Sequence, residues 1–488
     1  MKKTEDNKTQ SYNKNQPSIL WHDFETFGTN PKLDHPSQFA AIRTDLELNE
    51  IDEPKEYFCK LPMDYLPNPE ACLITKITPQ IVERKGVCEH QFMQKVLAEM
   101  SKPNTCSAGY NTIRFDDEVT RYSAYRNFFN PYEREWKNGN SRWDIIDLVR
   151  TCYALRPEGI NWPKKEDGSP SFKLEDLTVA NGLAHENAHD AVSDVRATIA
   201  MARLIKEKQP KLYQYIFDMR NKRKLAELID INNLTPLMHV SSKIKAEHGC
   251  CTWICPIAWH PTNNNAVIVL NLALDPKPLV SLSVDEIKQN MFKPSSEFAE
   301  GESRLPIKLI HLNKCPVLAT AKTLLPENAE RLKIDRQRCL DNLAFIKQNP
   351  VIREKLTQVY ESMEFDAPVD ADFALYDGFA SDADQAVMEQ IQQKRVDALA
   401  EFQPHFENER YSTLWFRFKG RNYPHLLSVE EQAKWRAHCQ QRLTDDSGTF
   451  GLSINSFAAQ IQQLAEQHSA DPQKMAVLRS LYQYLNEI

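Results

Sequence analysis

Ile19-Leu20-Trp21-His22-Asp23-Phe24-Glu25-Thr26 sets an apolar run directly before two acids spaced one residue apart. Taken as a β-strand, it alternates its side chains between two faces, so Asp23 and Glu25 share one face about 6–7 Å apart. Two carboxylates that close repel each other, and burying them is costly unless a cation neutralises them. Mg²⁺ suits such a pair because it takes oxygen ligands and keeps part of its water. The plainer alternative is an exposed strand with two surface acids, against which stand the flanking Trp21, Phe24 and Phe27.

Outward from this strand, residues 38–43, 57–60 and 105–110 have strand-like patterns, while 91–100 has helical spacing. From 190 to 208 an apolar helical stripe (Ala191, Val195, Ala197, Ile199, Ala200, Leu204, Ile205) runs up to Pro210. Alternating strands and helices predict an α/β domain. Beyond it, 251–257, 266–272 and 307–312 are β-rich runs parted by turn clusters such as Pro261-Thr262-Asn263-Asn264-Asn265, and a helix is expected over 335–348. The last stretch is helical over 382–402, 429–441, 456–468 and 472–487.

Two further acidic blocks lie within the α/β stretch. In Gly109-Tyr110-Asn111-Thr112-Ile113-Arg114-Phe115-Asp116-Asp117-Glu118 a strand gives way to a loop and an acidic helix start. Taken alone, Asp116 reads most simply as a helix cap. In Asn187-Ala188-His189-Asp190-Ala191-Val192-Ser193-Asp194, an ideal helix puts His189 and Asp194 about 140° apart. They share a site only if His189 precedes the helix or sits in a distorted first turn.

The totals narrow the class. At 488 residues two or three domains are expected. A hydrophobic fraction of 41% with 26% charged residues is that of a globular chain. No apolar run reaches the roughly 20 residues of a membrane span. Residues 1–18 read as a disordered polar lead-in rather than a signal peptide. The eleven cysteines lack framework spacing and are expected as reduced thiols, with a cytoplasmic location. Cys250, Cys251 and Cys255 with His248 and His260 lack the second Cys-x-x-Cys pair of a zinc site. A net charge of −7 argues weakly against a nucleic-acid binder. Locally, however, 203–224 carries a run of basic residues, either a binding stripe or a solvated helix face.

The order of the three acidic blocks (strand Asp-x-Glu, loop Asp, then His-x4-Asp on a late helix) resembles the DEDD exonuclease superfamily in its histidine-bearing branch. Longer stretches resemble the bacterial exonuclease I family from about residue 19 onward. These are HDFETFG (22–28), QFAAIRTD (38–45), GYNTIRFDDEVTR (109–121), CYALRPEGINWP (152–163), NAHDA (187–191) and NKCPVLA (313–319). The resemblance implies an RNase H-like exonuclease domain over 19–209, an SH3-like β-rich domain over 210–364 and a helical C-terminal domain over 365–488. It implies two Mg²⁺ ions, for which Mn²⁺ can substitute, held by Asp23, Glu25, Asp116 and Asp194. Glu25 would also lie near the 3′-hydroxyl, and His189 would be the general base. The implied reaction is 3′-to-5′ degradation of single-stranded DNA to 5′-mononucleotides, in DNA repair and recombination.

Between Arg121 and Trp162, aromatic and basic residues interleave as in a base-stacking groove, with Phe128, Trp143 and Tyr153 assigned to the core. By resemblance, Arg121, Tyr132, Trp136, Arg150 and Lys222 are the expected DNA contacts. Lys173 is a candidate phosphate contact where the family more often has arginine, which favours a point charge over a bidentate grip. The resemblance also implies binding of the acidic C-terminal tail of single-stranded DNA-binding protein. Arg336, Arg338 and Lys347, beside Leu340, Leu343 and Ile346, form either that pocket or an ordinary amphipathic helix. The string Arg417, Lys419, Arg421 among Trp415, Phe416 and Phe418 reads equally as a DNA contact or as helix packing. A monomer without membrane attachment is expected. An RNA exonuclease of the same chemistry, and a non-enzymatic binding protein, are the rival readings.

Overall fold

The computed structural model describes residues 16–183, 191–298, 304–363 and 366–487. The lead-in expected at 1–18 therefore lies outside the described residues up to residue 15, and Ser18 is already buried in a strand. By contacts the chain forms two units: residues 1–141, 186–196 and 367–488 in one, 142–185 and 197–366 in the other.

The first unit is built on β1 (Ser18–Thr26), β2 (Pro36–Thr44), β3 (Lys55–Phe58) and β4 (Thr105–Gly109), in the spatial order β3-β2-β1-β4. β1 pairs antiparallel with β2 and parallel with β4, the mixed sheet expected of an RNase H-like domain. Its two faces separate as the alternation predicts. Leu20 and Phe24 join Phe39, Phe92, Val96 and Val119 in one core. Each such side chain, fully buried, contributes about 1.5–3 kcal/mol. The parallel ladder with β4 runs only to Trp21↔Ala108, so Asp23 and Glu25 stand past its carboxyl end, where open α/β sheets bind ligands. At Gly109, a Cβ would lie 2.5 Å from the His22 carbonyl oxygen, so a side chain there would force the strand ends apart.

The C-terminal helices belong to the same unit for two reasons. Glu409–Asn422 supplies Leu414, Trp415 and Phe418 to a core with Tyr122, Tyr125 and Phe128, while Phe457, Ile461 and Leu478 pack with Phe27, Tyr65 and Leu66. Arg421 is also buried between Asp64 and Asp372, with a 2.7 Å contact to each. Arg417 pairs with Asp370 and Asp372, and Lys419 with Glu431. The Arg417–Arg421 string is thus helix packing, its cations already neutralised inside.

The second unit begins with β5 (Ser141–Asp144), whose last residue caps the following helix, Ile145–Leu155, through the Ile146 amide. Its sheet has the order β10-β6-β7-β8-β9 and is antiparallel throughout: Leu237–Val240, Cys251–Trp259, Ala266–Asn271, Ile307–His311 and Val317–Thr320 are β6 to β10. Ile254, Val267, Val269, Ile310 and Leu318 make its core with Leu225. The helix Ala191–Lys208 stops before Pro210, which opens the next helix at its first turn instead of a loop. All eleven cysteines are free thiols. No helix among the described residues is long and apolar enough to cross a membrane.

Candidate active site

The end of β1 holds Asp23 and Glu25 on one face, both half-buried. Asp194, in the first turn of Ala191–Lys208, completes a group with them: one ligand oxygen from each of the three lies within 4.8 Å of the others. Asp116 closes the group from a third element. It opens the helix Asp116–Arg126, is buried, and its Oδ1 accepts the Phe24 amide of β1 at 2.9 Å. That bond reaches beyond its own helix to the strand that carries Asp23 and Glu25.

A carboxyl set among three other acids should resist ionisation. The Asp23 carboxyl is indeed pushed well above the ordinary carboxylate range, first by burial and then by Asp116, Glu25 and Asp194. A divalent cation reverses that balance, and an all-carboxylate donor set is the kind hard cations take. Among the described residues this is the one group with metal-binding geometry. The residues therefore fit the expected metal.

His189 and its neighbours Asn187, Ala188 and Asp190 lie outside the described residues. His22, which nothing in the sequence singled out, is buried behind the acids and stacks on Phe39. Burial, with the Arg134 charge adding to it, lowers its pKa to about 3, so it is neutral.

Phe128 is in the core as expected; the aromatic–basic stretch is not a continuous stacking face, because Tyr122 and Tyr125 are core residues too and Arg126 is bound to Glu89. Trp136 is the exception, at 65% exposure. Tyr132 is half-buried under the Arg121 guanidinium, 5.5 Å from its ring centre. Arg121 itself is buried; Glu135 accepts from it at 2.8 and 3.0 Å and Glu118 at 2.8 Å. Arg121, an expected DNA contact, is thus engaged by Glu118 and Glu135 within the fold.

In the second unit, Arg150 is buried and pairs with Asp147 at 2.7 Å, whereas Lys173 and Lys222 are exposed. Lys222 donates to Asn265 at 3.0 Å. The helix Arg336–Gln348 puts Arg336 and Lys347 on one face with the 46% exposed Leu340, while Arg338 points about 200° away from Arg336. Leu343 and Ile346 are buried, and Arg336 lies over the Trp253 ring.

Three family models match the chain in series: "Exonuclease" over residues 20–202, "Exonuclease I SH3-like domain" over 220–362 and "Exonuclease I C-terminal domain" over 369–488. Exodeoxyribonuclease I from Haemophilus influenzae is 50% identical over 469 residues, 96% of this chain and 98% of that protein. Escherichia coli exonuclease I in complex with a dA16 oligonucleotide superposes with a TM-score of 0.92 at 47% identity, covering 97% of this chain and all of that one. A structure of SSB/exonuclease I with an inhibitor has a TM-score of 0.90 at 46% identity, with 97% and 99% coverage. A zinc-bound E. coli exonuclease I–ssDNA complex reaches 0.91 at 47%, again with 97% and 99% coverage. With likeness of this degree running through all three segments, the chain belongs to the exonuclease I family of DNA exonucleases.

Proposed function

We propose that this exonuclease removes nucleotides from the 3′ end of single-stranded DNA, releasing 5′-mononucleotides, with Mg²⁺ or Mn²⁺ held by Asp23, Glu25, Asp116 and Asp194. The observation that carries this is the convergence of the Asp23, Glu25 and Asp194 oxygens, with Asp116 clasped to the same strand. Two bound ions would offset the charge that develops on the attacking and leaving oxygens of the phosphodiester. Glu25 accepts a hydrogen bond from the terminal 3′-hydroxyl, which selects a 3′ end. His189 takes the proton of the attacking water. Lys173 meets a phosphate as a point charge. Trp136 offers a face for a base, a contact worth about 1–3 kcal/mol and tolerant of sequence.

The segments 19–209, 210–364 and 365–488 act as exonuclease, SH3-like and helical domains in a cytoplasmic monomer serving DNA repair and recombination. Arg150 and Lys222 follow the DNA backbone. The likeness to a protein solved with SSB supports binding of an acidic protein tail, with Arg336, Lys347 and Leu340 as its basic-rimmed patch and Arg338 on the opposite side of the same helix.

A time course on 3′-labelled and 5′-labelled single-stranded DNA, with product sizing and a matched RNA oligonucleotide, tests the proposal. The 3′ label should leave at once as mononucleotide while the 5′-labelled strand shortens stepwise. Faster RNA cleavage, or release starting from the 5′ label, overturns it.

A further inference from the structure

Residues 130–140 pack on the helix that begins with Asp116, and they do so through charge. Arg134 of this segment donates to Asp117, and both side chains are buried, at 1% and 3% exposure. The next residue, Glu135, accepts two bonds from Arg121. Asp117 and Arg121 are four residues apart and so share a helix face. Acid and base on the helix therefore meet base and acid on the segment, in crossed order. The far end of the segment is fastened separately: the Asn138 carbonyl accepts the Asn104 amide at 3.0 Å, and Asn140 Oδ1 accepts the Thr105 amide at the start of β4. Directly after the two inward charged residues comes Trp136, the exposed one.

Buried ion pairs add little net stability, but they specify geometry, because a slipped register leaves charges unpaired in a dry interior. Here the crossed order permits one register only. A shift by one residue would set Glu135 opposite Asp117. Asp117 is also the immediate neighbour of the metal-site residue Asp116, which the Phe24 amide of β1 holds separately, so the clamp sets where the segment lies relative to Asp116 without itself holding the metal site.

We propose that Asp117–Arg134 and Arg121–Glu135 form a double clamp that holds Trp136 in register with Asp116. Arg134 and Arg121 are then positioning residues, coupling the grip on a base to the site of cleavage. The proposal rests on the reading of Trp136 as a base contact, made above.

The test compares single-stranded oligonucleotide with thymidine 5′-(p-nitrophenyl phosphate), which presents one nucleotide and no second base. Arg134→Met should raise KM for the oligonucleotide by about tenfold, the loss of roughly one stacked base, with its kcat changed less. Nitrophenyl ester hydrolysis and its Mg²⁺ dependence should stay near wild type. Arg134→Lys, which keeps the charge without the fork, should recover part of the KM and serves if the methionine variant folds poorly. Combined with Trp136→Ala, the Arg134 variants should add no further loss. Equal losses on both substrates, or additive losses in the double variant, overturn the clamp. A normal loss in Trp136→Ala alongside unaffected Arg134 variants overturns the clamp alone. An unchanged KM in Trp136→Ala overturns the reading of Trp136, and the clamp's function with it.

Discussion

Around Asp23 four carboxylates face one another, whereas around Asp372 carboxylates alternate with arginines: Asp64, Asp370 and Asp372 against Arg417, Arg421 and Arg442. Both clusters lie in the same unit, yet their protons move in opposite directions. Repulsion and burial push the Asp23 carboxyl up. At Asp64 and Asp372 burial also opposes ionisation, but arginines outweigh it and hold both carboxyls well below the ordinary range. Balanced charge ties distant segments together. Unbalanced charge is tolerated only where something from outside will neutralise it, and that is where the chemistry belongs.

The contrast breaks most visibly at Asp194. Asp194→Ala should cut turnover by about 10⁴-fold, near 5.5 kcal/mol of barrier, while thermal unfolding stays at or above wild type. Near-normal turnover would sink the assignment of this cluster.

Arg421→Met attacks the balanced cluster, leaving Asp64 and Asp372 short of a buried partner. It should cost about 4 kcal/mol in denaturant unfolding. A loss below about 1 kcal/mol would show that the cluster is more hydrated than its burial implies. The pH dependence has a definite sign. Because the folded pKa values of Asp64 and Asp372 are lowered, their contribution is present above the unfolded value of about 3.9 and is lost as pH falls toward the folded values. Asp372→Asn should flatten that acid limb of the stability curve.

Asp23 has the reverse sign. Its folded pKa is raised, so the metal-free protein loses stability as pH rises through that raised value. Mg²⁺ at a hundredfold excess over its Kd should then add about 2.7 kcal/mol at pH 8. Asp23→Asn should remove most of that gain while stabilising the metal-free protein. An unfolding midpoint indifferent to Mg²⁺ in the wild type contradicts a cation site here.

The smallest effect belongs to exposed charge. Lys137 pairs with Glu133 at 2.9 Å in full view of solvent, and Lys137→Ala should change stability by under about 0.5 kcal/mol. A larger loss would mean that the 130–140 segment depends on its surface as well as on its buried clamp.

Asp23 and Glu25 were legible in the sequence because strand alternation is a local rule that needs only the residues themselves. The three-block order then brought in Asp116 and Asp194, but only the structure showed the Asp116 carboxylate taking the Phe24 amide, 92 residues away. The aromatic–basic stretch misled because composition does not say which way a side chain faces. Tyr122 and Tyr125, alongside Phe128, which was expected in the core, found their partners in Leu414, Trp415 and Phe418, almost 300 residues later, and Arg121 found Glu135.

By itself, then, the sequence determined the strand and helix patterns of the α/β, β-rich and helical stretches, the face shared by Asp23 and Glu25, and the family. Only the tertiary structure decided which charges are neutralised. Arg421 meets Asp64 across 357 residues, whereas the charged groups that act on Asp23 among the described residues are other acids. Periodicity is encoded within a few residues, but the neutralisation of a buried charge depends on whichever segment folding brings beside it.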